Sequence, residues 1–170
     1  IITPVKDSID TTIDTIKAIM SSDIKVPFTY TIYNDFSTPE NTQRLEKASK
    51  EYGFQLVNLS DLTDHPSPNY LLVLQKTQKE AIEANAGLLI VESDVTVQKD
   101  TLQALFDGAI ERKDCGMAAA VTTDENGYAK SDLLDYGDYY LVESKAAYGY
   151  YNPEIQYPFE IREEGVNVPI

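Results

Sequence analysis

Apolar residues along this chain recur with two alternating periods. Ile1 to Val5 is a short apolar run closed by Lys6-Asp7-Ser8, which predicts a buried strand. Ile9, Ile13, Ile16, Ile19 and Met20 then recur at helical spacing, with Ser8 as expected N-cap and Asp10 in the first turn. Val26 to Tyr33 is β-branched and aromatic, which predicts a second strand. A turn over Asn34-Asp35-Phe36-Ser37 leads to a helix capped by Thr38, with Pro39 at its first position, that runs to Tyr52 and stops at Gly53. Phe54 to Leu59 predicts a third strand, and Tyr70 to Ala86 a helix after a loop with Pro66 and Pro68. Leu88 to Val91 is continuously apolar, the mark of a central parallel strand covered on both faces. Thr101 to Arg112 reads as a helix and Gly116 to Val121 as a fifth strand.

Strand and helix alternate, so the expected class is α/β, with a mostly parallel central sheet and helices on both faces. Past Thr123 the pattern changes. Asp124-Glu125-Asn126-Gly127 is a strong turn signal, and 8 of the 12 tyrosines lie between Tyr128 and Tyr157. The expected division is therefore an α/β core over 1–122 and a Tyr-rich irregular or β segment over 123–170. The Tyr-rich segment has two readings, half-buried cover for a sheet edge or an aromatic platform for a sugar or partner.

Composition narrows the function. The chain has 170 residues, 14 basic and 28 acidic, for a net charge of −14. Such an acidic chain does not coat nucleic acid, since phosphate backbones are bound by Lys and Arg. An apolar content of 42% argues against disorder. The longest aliphatic stretches, Leu71 to Leu74 and Leu88 to Val91, fall far short of the roughly 18 residues of a membrane span. The lone Cys115 allows no internal disulfide and fits a reducing compartment, so a cytoplasmic setting is expected, with any membrane contact made through other parts. The abrupt start at Ile1 and end at Ile170 suggest a piece of a longer protein.

In an open parallel sheet, ligands bind outside the carboxyl ends of the strands. The first strand delivers Asp7 there, the second Asp35, and the fourth Glu92, Ser93 and Asp94. Gathered carboxylates repel by about 1 kcal/mol or more per close pair even in high dielectric. A hard divalent cation, Mg²⁺ or Mn²⁺, would offset them and could bridge the protein to phosphate oxygens. On an extended segment Glu92 and Asp94 would project to the same side.

The order of these pieces resembles a family 2 glycosyltransferase of the GT-A fold. Ile2-Thr3-Pro4-Val5-Lys6-Asp7-Ser8 is similar to that family's first strand, Ile32-Tyr33-Asn34-Asp35-Phe36-Ser37-Thr38 to its second motif, and Leu89-Ile90-Val91-Glu92-Ser93-Asp94-Val95 to its acid-x-acid strand end. Ala104-Leu105 fits the helix that trails it. The resemblance implies metal-dependent, inverting transfer of a sugar, with a UDP-sugar as donor and a glycan or other hydroxyl as acceptor, in polysaccharide biosynthesis. It implies that Thr3, Pro4 and Val5 line the nucleoside pocket with backbone groups, that Asp7 and Ser93 lie at the nucleotide, and that Asp35 bonds the base. Lys76 would touch base or phosphate, Glu92 the ribose or metal, and Asp94 the metal on the diphosphate. Asn34 and Phe36 depart from the family's Asp and Gly, and Glu92 from its first metal-triplet Asp. No catalytic base is identified; Glu160, Glu163 and Glu164 precede the expected acceptor segment, which the resemblance places beyond Ile170. The alternative is a catalytically incomplete domain that only binds a nucleotide or a protein partner.

Other chemistries lack their residues. His65 is the only histidine and reads as a solvated loop residue, and Cys115 as a small buried one. No glycine lies between Ile1 and Gly53, which removes the dinucleotide fingerprint and the P-loop. A nucleotidyltransferase would need a Gly-rich basic first loop, which Lys6-Asp7-Ser8 does not supply.

Overall fold

In a computed structural model of the chain, the residues described are 1–111, 115–120, 134–142 and 156–163. The chain divides into two compact units, Ile1–Ala118 and Ala119–Ile170. In the first, β1 (Ile2–Val5), α1 (Ile9–Met20), β2 (Thr31–Asn34), α2 (Pro39–Tyr52), β3 (Gln55–Asn58), α3 (Tyr70–Glu83) and α4 (Thr101–Glu111) follow in order. β1, β2 and β3 form a parallel sheet in that spatial order, with Pro4 beside Tyr33 and Tyr33 beside Val57.

Side-chain alternation sends the two faces of this sheet to different helices. Val5 and Ile32 pack with Ile9, Ile16 and Ile19 of α1, Leu45 and Ala48 of α2, and Leu102 of α4. Ile2 and Tyr33 pack with Leu59 and with Val73 of α3. This is a mixed α/β layer arrangement with helices on both faces.

The helix signals are realised unevenly. Thr38 accepts the Asn41 N–H as N-cap, Pro39 opens α2, and Gly53 ends it at φ 80°. Ser8 sits at the N-cap of α1 without a side-chain cap; its carbonyl instead accepts the Thr11 and Thr12 hydroxyls.

The strands are shorter than the periodicity predicts. β2 begins at Thr31 rather than Val26, because Pro27 cannot donate to a ladder and 27–29 lie exposed. The fourth strand shrinks to a single parallel bridge, Ile2 with Ile90. Ile2 N–H donates to the Leu89 carbonyl and Val91 N–H to the Ile2 carbonyl. In a parallel ladder the next donor toward this neighbour is residue 4, and Pro4 has no N–H. The expected fifth strand does not form over the described residues 116–120, which are exposed; the Met117-Ala-Ala-Ala run has little β propensity. Val121, Arg112 and the turn at 124–127 lie outside the described residues.

In the second unit, β4 (Gly137–Val142) pairs antiparallel with β5 (Gln156–Ile161). Tyr139 stacks on Phe159 with ring centroids 5.6 Å apart, and Arg162 pairs with Asp138. Tyr148, Tyr150 and Tyr151 lie outside the described residues.

Candidate functional site

With the Ile90 bridge beside β1, the parallel order is β3, β2, β1 and then the 88–91 segment. The chain moves outward from β1 to β3 and then returns to the other side of β1. The order therefore reverses between β1 and the 88–91 segment, and past the carboxyl ends at such a switch point is where open α/β sheets place a ligand crevice. Pro4 to Asp7 form one bank and Glu92 to Asp94 the other. The ladder between the banks ends at Ile2, so neither bank is zipped to the other further out.

The second bank is a tethered turn. Val95 N–H closes it onto the Glu92 carbonyl at 3.3 Å. The buried Thr15 hydroxyl of α1 shares its one proton between the Ser93 carbonyl at 3.1 Å and the Thr11 carbonyl of its own helix at 3.2 Å. The Tyr70 hydroxyl, at the start of α3, donates to Glu92 Oε1 at 3.2 Å. Ser93 and Asp94 occupy the turn itself, so strand alternation is not what orients this pair. Both carboxylates are exposed. Among the described residues, no group of three or more His, Cys, Asp or Glu is arranged to hold a metal ion. Glu92 and Asp94 are the carboxylates here that would take a hard cation, with phosphate and water rather than a closed protein cage completing its shell.

The remaining predicted site residues have structural partners. Thr3 is fully buried and accepts the Tyr30 hydroxyl at 3.0 Å, and Val5 is in the core. Their backbones pair with β2, so of this trio Pro4 turns its carbonyl toward the crevice. Asp7, at φ 59°, accepts Thr38 N–H at 2.7 Å and the Asn41 amide at 3.1 Å through Oδ1. Those bonds, the Thr38 one first, hold its carboxyl below the usual range. Asp7 thus caps α2. Lys76 pairs with Glu80 at 2.6 Å on α3, and that bond raises its pKa.

Asp35 is 7% exposed and accepts three hydrogen bonds at 2.8 Å, from the Ser67 hydroxyl, Asn69 N–H and the Asn69 amide. Burial pushes its carboxyl up, but the bonds from Asn69 and Ser67, with Lys6 nearby, together bring it below the usual value. Asn69 stands at the N-cap of α3 without a side-chain cap bond, and its amide donates to Asp35 and to the His65 carbonyl. Sequence reasoning misses Ser67, Asn69, Tyr70 and Thr15 as members of this site. Asn69 directly before an apolar helical run is the one local signal. Asn34, at the end of β2, donates to Thr42 Oγ1 and Asn58 Oδ1 and accepts Ser37 N–H.

A cavity of about 510 Å³ lies at the other edge of the sheet, where strands begin, lined by Ile1, Val26, Phe28, Leu89, Leu102 and Phe106 among others. It presents no charged side chain. His65 is exposed, and Cys115 is free and half-buried rather than buried. No described helix is long and apolar enough to cross a membrane.

The family model of SpaA, a prealbumin-like fold domain, matches residues 76–170, more than half of the chain. The chain belongs to the SpaA prealbumin-like fold family. The SpaA match begins within α3, takes in α4 and the Glu92–Asp94 turn, and covers the paired strands β4 and β5. It overlaps the stretch that resembles a glycosyltransferase over residues 76–122. No curated protein matches the chain. Among solved structures, S. aureus TarS 1-349 is similar at 21% identity and a TM-score of 0.44, covering 64% of this chain and 32% of that one. The same protein in complex with UDP-GlcNAc gives 22%, 0.44, 64% and 31%. A further TarS structure gives 21% and 0.43, and this chain covers 19% of it. The chain thus spans about a third or less of those structures.

Proposed function

We propose that the crevice between β1 and the 88–91 segment binds the diphosphate of a nucleoside-diphosphate sugar, a UDP-sugar by resemblance, as the donor half of a metal-dependent, inverting glycosyltransferase of GT-A type. The observation that carries this reading is the reversal of strand order beside β1, with two exposed carboxylates on one bank and the Pro4 carbonyl on the other. Asp94 and Glu92 would hold Mg²⁺ or Mn²⁺, which when bound would neutralise the diphosphate against this acidic chain. The acceptor would be a glycan or another hydroxyl compound; no base is assigned.

A second reading has its own support. Asp35 spends its carboxylate on Ser67 and Asn69, and Asn34 spends its amide on Thr42 and Asn58. Both positions are thereby structural, as in a domain that binds a ligand or partner without transferring sugar. Calorimetry of the full chain with UDP and Mn²⁺ tests the metal-dependent diphosphate site, and metal-independent binding of a ligand or partner favours the second reading. The transferase reading expects Mn²⁺-dependent binding that Asp94→Ala weakens at least about tenfold, a loss of about 1.4 kcal/mol. Equal binding by Asp94→Ala, or no binding by the unaltered chain, defeats it.

A further inference from the structure

We infer that Tyr70 is a positioning residue that sets the Glu92 carboxylate for cation and diphosphate binding, an inference that rests on the crevice being the diphosphate site. Glu92 is exposed and carries a long, rotatable side chain, so without a partner it would sample several rotamers. Tyr70 removes that freedom from outside the turn through its bond to Oε1, and Oε2 keeps no hydrogen bond among the described residues. One carboxylate oxygen is therefore held while the other is left for a ligand.

The holder is itself fixed. Tyr70 is the first residue of α3, and the residue before it, Asn69, is bound to Asp35 through both its backbone and its side chain. A continuous path thus runs from the end of β2 through Asp35, Asn69 and Tyr70 to Glu92. The backbone of the turn has a separate tether in Thr15, which bonds the Ser93 carbonyl. Removing the Tyr70 hydroxyl would therefore free the Glu92 side chain and leave the turn in place. Asp94, by contrast, has no hydrogen bond or ion pair among the described residues.

The test is a double-mutant cycle on the full chain, read by calorimetry with UDP and Mn²⁺, using Tyr70→Phe, Glu92→Gln and the pair. Tyr70→Phe keeps the ring. It is expected to weaken Mn²⁺-dependent UDP binding about threefold to tenfold, the worth of one hydrogen bond. In the Glu92→Gln background the same change is expected to have no further effect, and binding of UDP without Mn²⁺ should not move. Unchanged affinity in Tyr70→Phe, or an equal loss in both backgrounds, overturns the positioning role while the site reading stands. Absence of any UDP binding by the unaltered chain overturns the site reading itself, and the positioning role with it.

Discussion

Asn69 grips the buried Asp35 carboxylate from two directions: its backbone N–H donates to Oδ2 and its side-chain amide to Oδ1, each at 2.8 Å. The loop before α3 is thereby pinned to the end of β2, more than 30 residues earlier. Asp35→Asn would put an amide donor against the donors of Asn69 and Ser67. Hydrogen bonds to a charged group are worth about 1.5–3 kcal/mol, so a loss of that order in urea unfolding near neutral pH is expected.

The same contact has a pH signature. The folded carboxyl titrates below the ordinary value of 3.8, so its stabilisation is fully present above that value. It is lost as pH falls through the lower, folded value. The stability gap between the unaltered chain and Asp35→Asn should therefore narrow in acid below 3.8. A gap that stays constant into strong acid would show that the ionised form is not what the loop holds.

Phe36 has φ 58°, a left-handed backbone where the resembled family carries glycine. A side chain with Cβ costs about 1–2 kcal/mol there. Phe36→Gly and Phe36→Ala both remove the ring, so comparing them isolates the backbone. The usual order inverts: the glycine variant should be the more stable of the two by about 1 kcal/mol in chemical denaturation, although glycine costs more unfolded-state entropy. Alanine equal to or better than glycine would mean that the turn relaxes out of this conformation.

Pro4 stops the ladder between β1 and the 88–91 segment at one bridge. In Pro4→Ala the new N–H can reach the Val91 carbonyl and extend the pairing toward the crevice. Amide exchange should find the new residue 4 amide protected and Ser93 exchanging more slowly than in the unaltered chain. Fast exchange at residue 4 would place the end of the ladder on some other cause.

What can be read from the sequence follows the range of each interaction. α1 is legible from its period, and α2 from a period, cap and stop that all lie within one helix, as Thr38, Pro39 and Gly53 show. The fourth strand is over-read because its limit is set by Pro4, which lies in a distant segment. Asp35 and Asp7 are legible as acids at strand ends. Their partners are not: Asn69 and Ser67 are more than 30 residues from Asp35, and the Thr38 N–H that donates to Asp7 is 31 residues away. A polar side chain shows its chemistry in the sequence, but whether that chemistry is already spent is decided by contacts that only the fold makes.

Tyr30 gives the alkaline counterpart of Asp35. It lies beside Phe54 in the core, and burial pushes its phenol up to about 12 from an ordinary 10.0. Its hydroxyl donates to Thr3, which is fully buried. In the unfolded chain the phenol ionises near its ordinary value, so unfolding releases a proton that folding retains. Stability from this group is present in full below pH 10.0 and falls as pH rises toward 12. Tyr30→Phe deletes both the titration and the bond. Near neutral pH the variant should be less stable by about 1 kcal/mol, because the Thr3 hydroxyl loses its donor. Above pH 10 its stability should decline less steeply, so the two curves converge. Tyr33 and Tyr70 also titrate high through burial and stay in both proteins, so the comparison reads Tyr30 alone. Parallel curves across that range would mean that the Tyr30 phenol reaches solvent before the fold is lost.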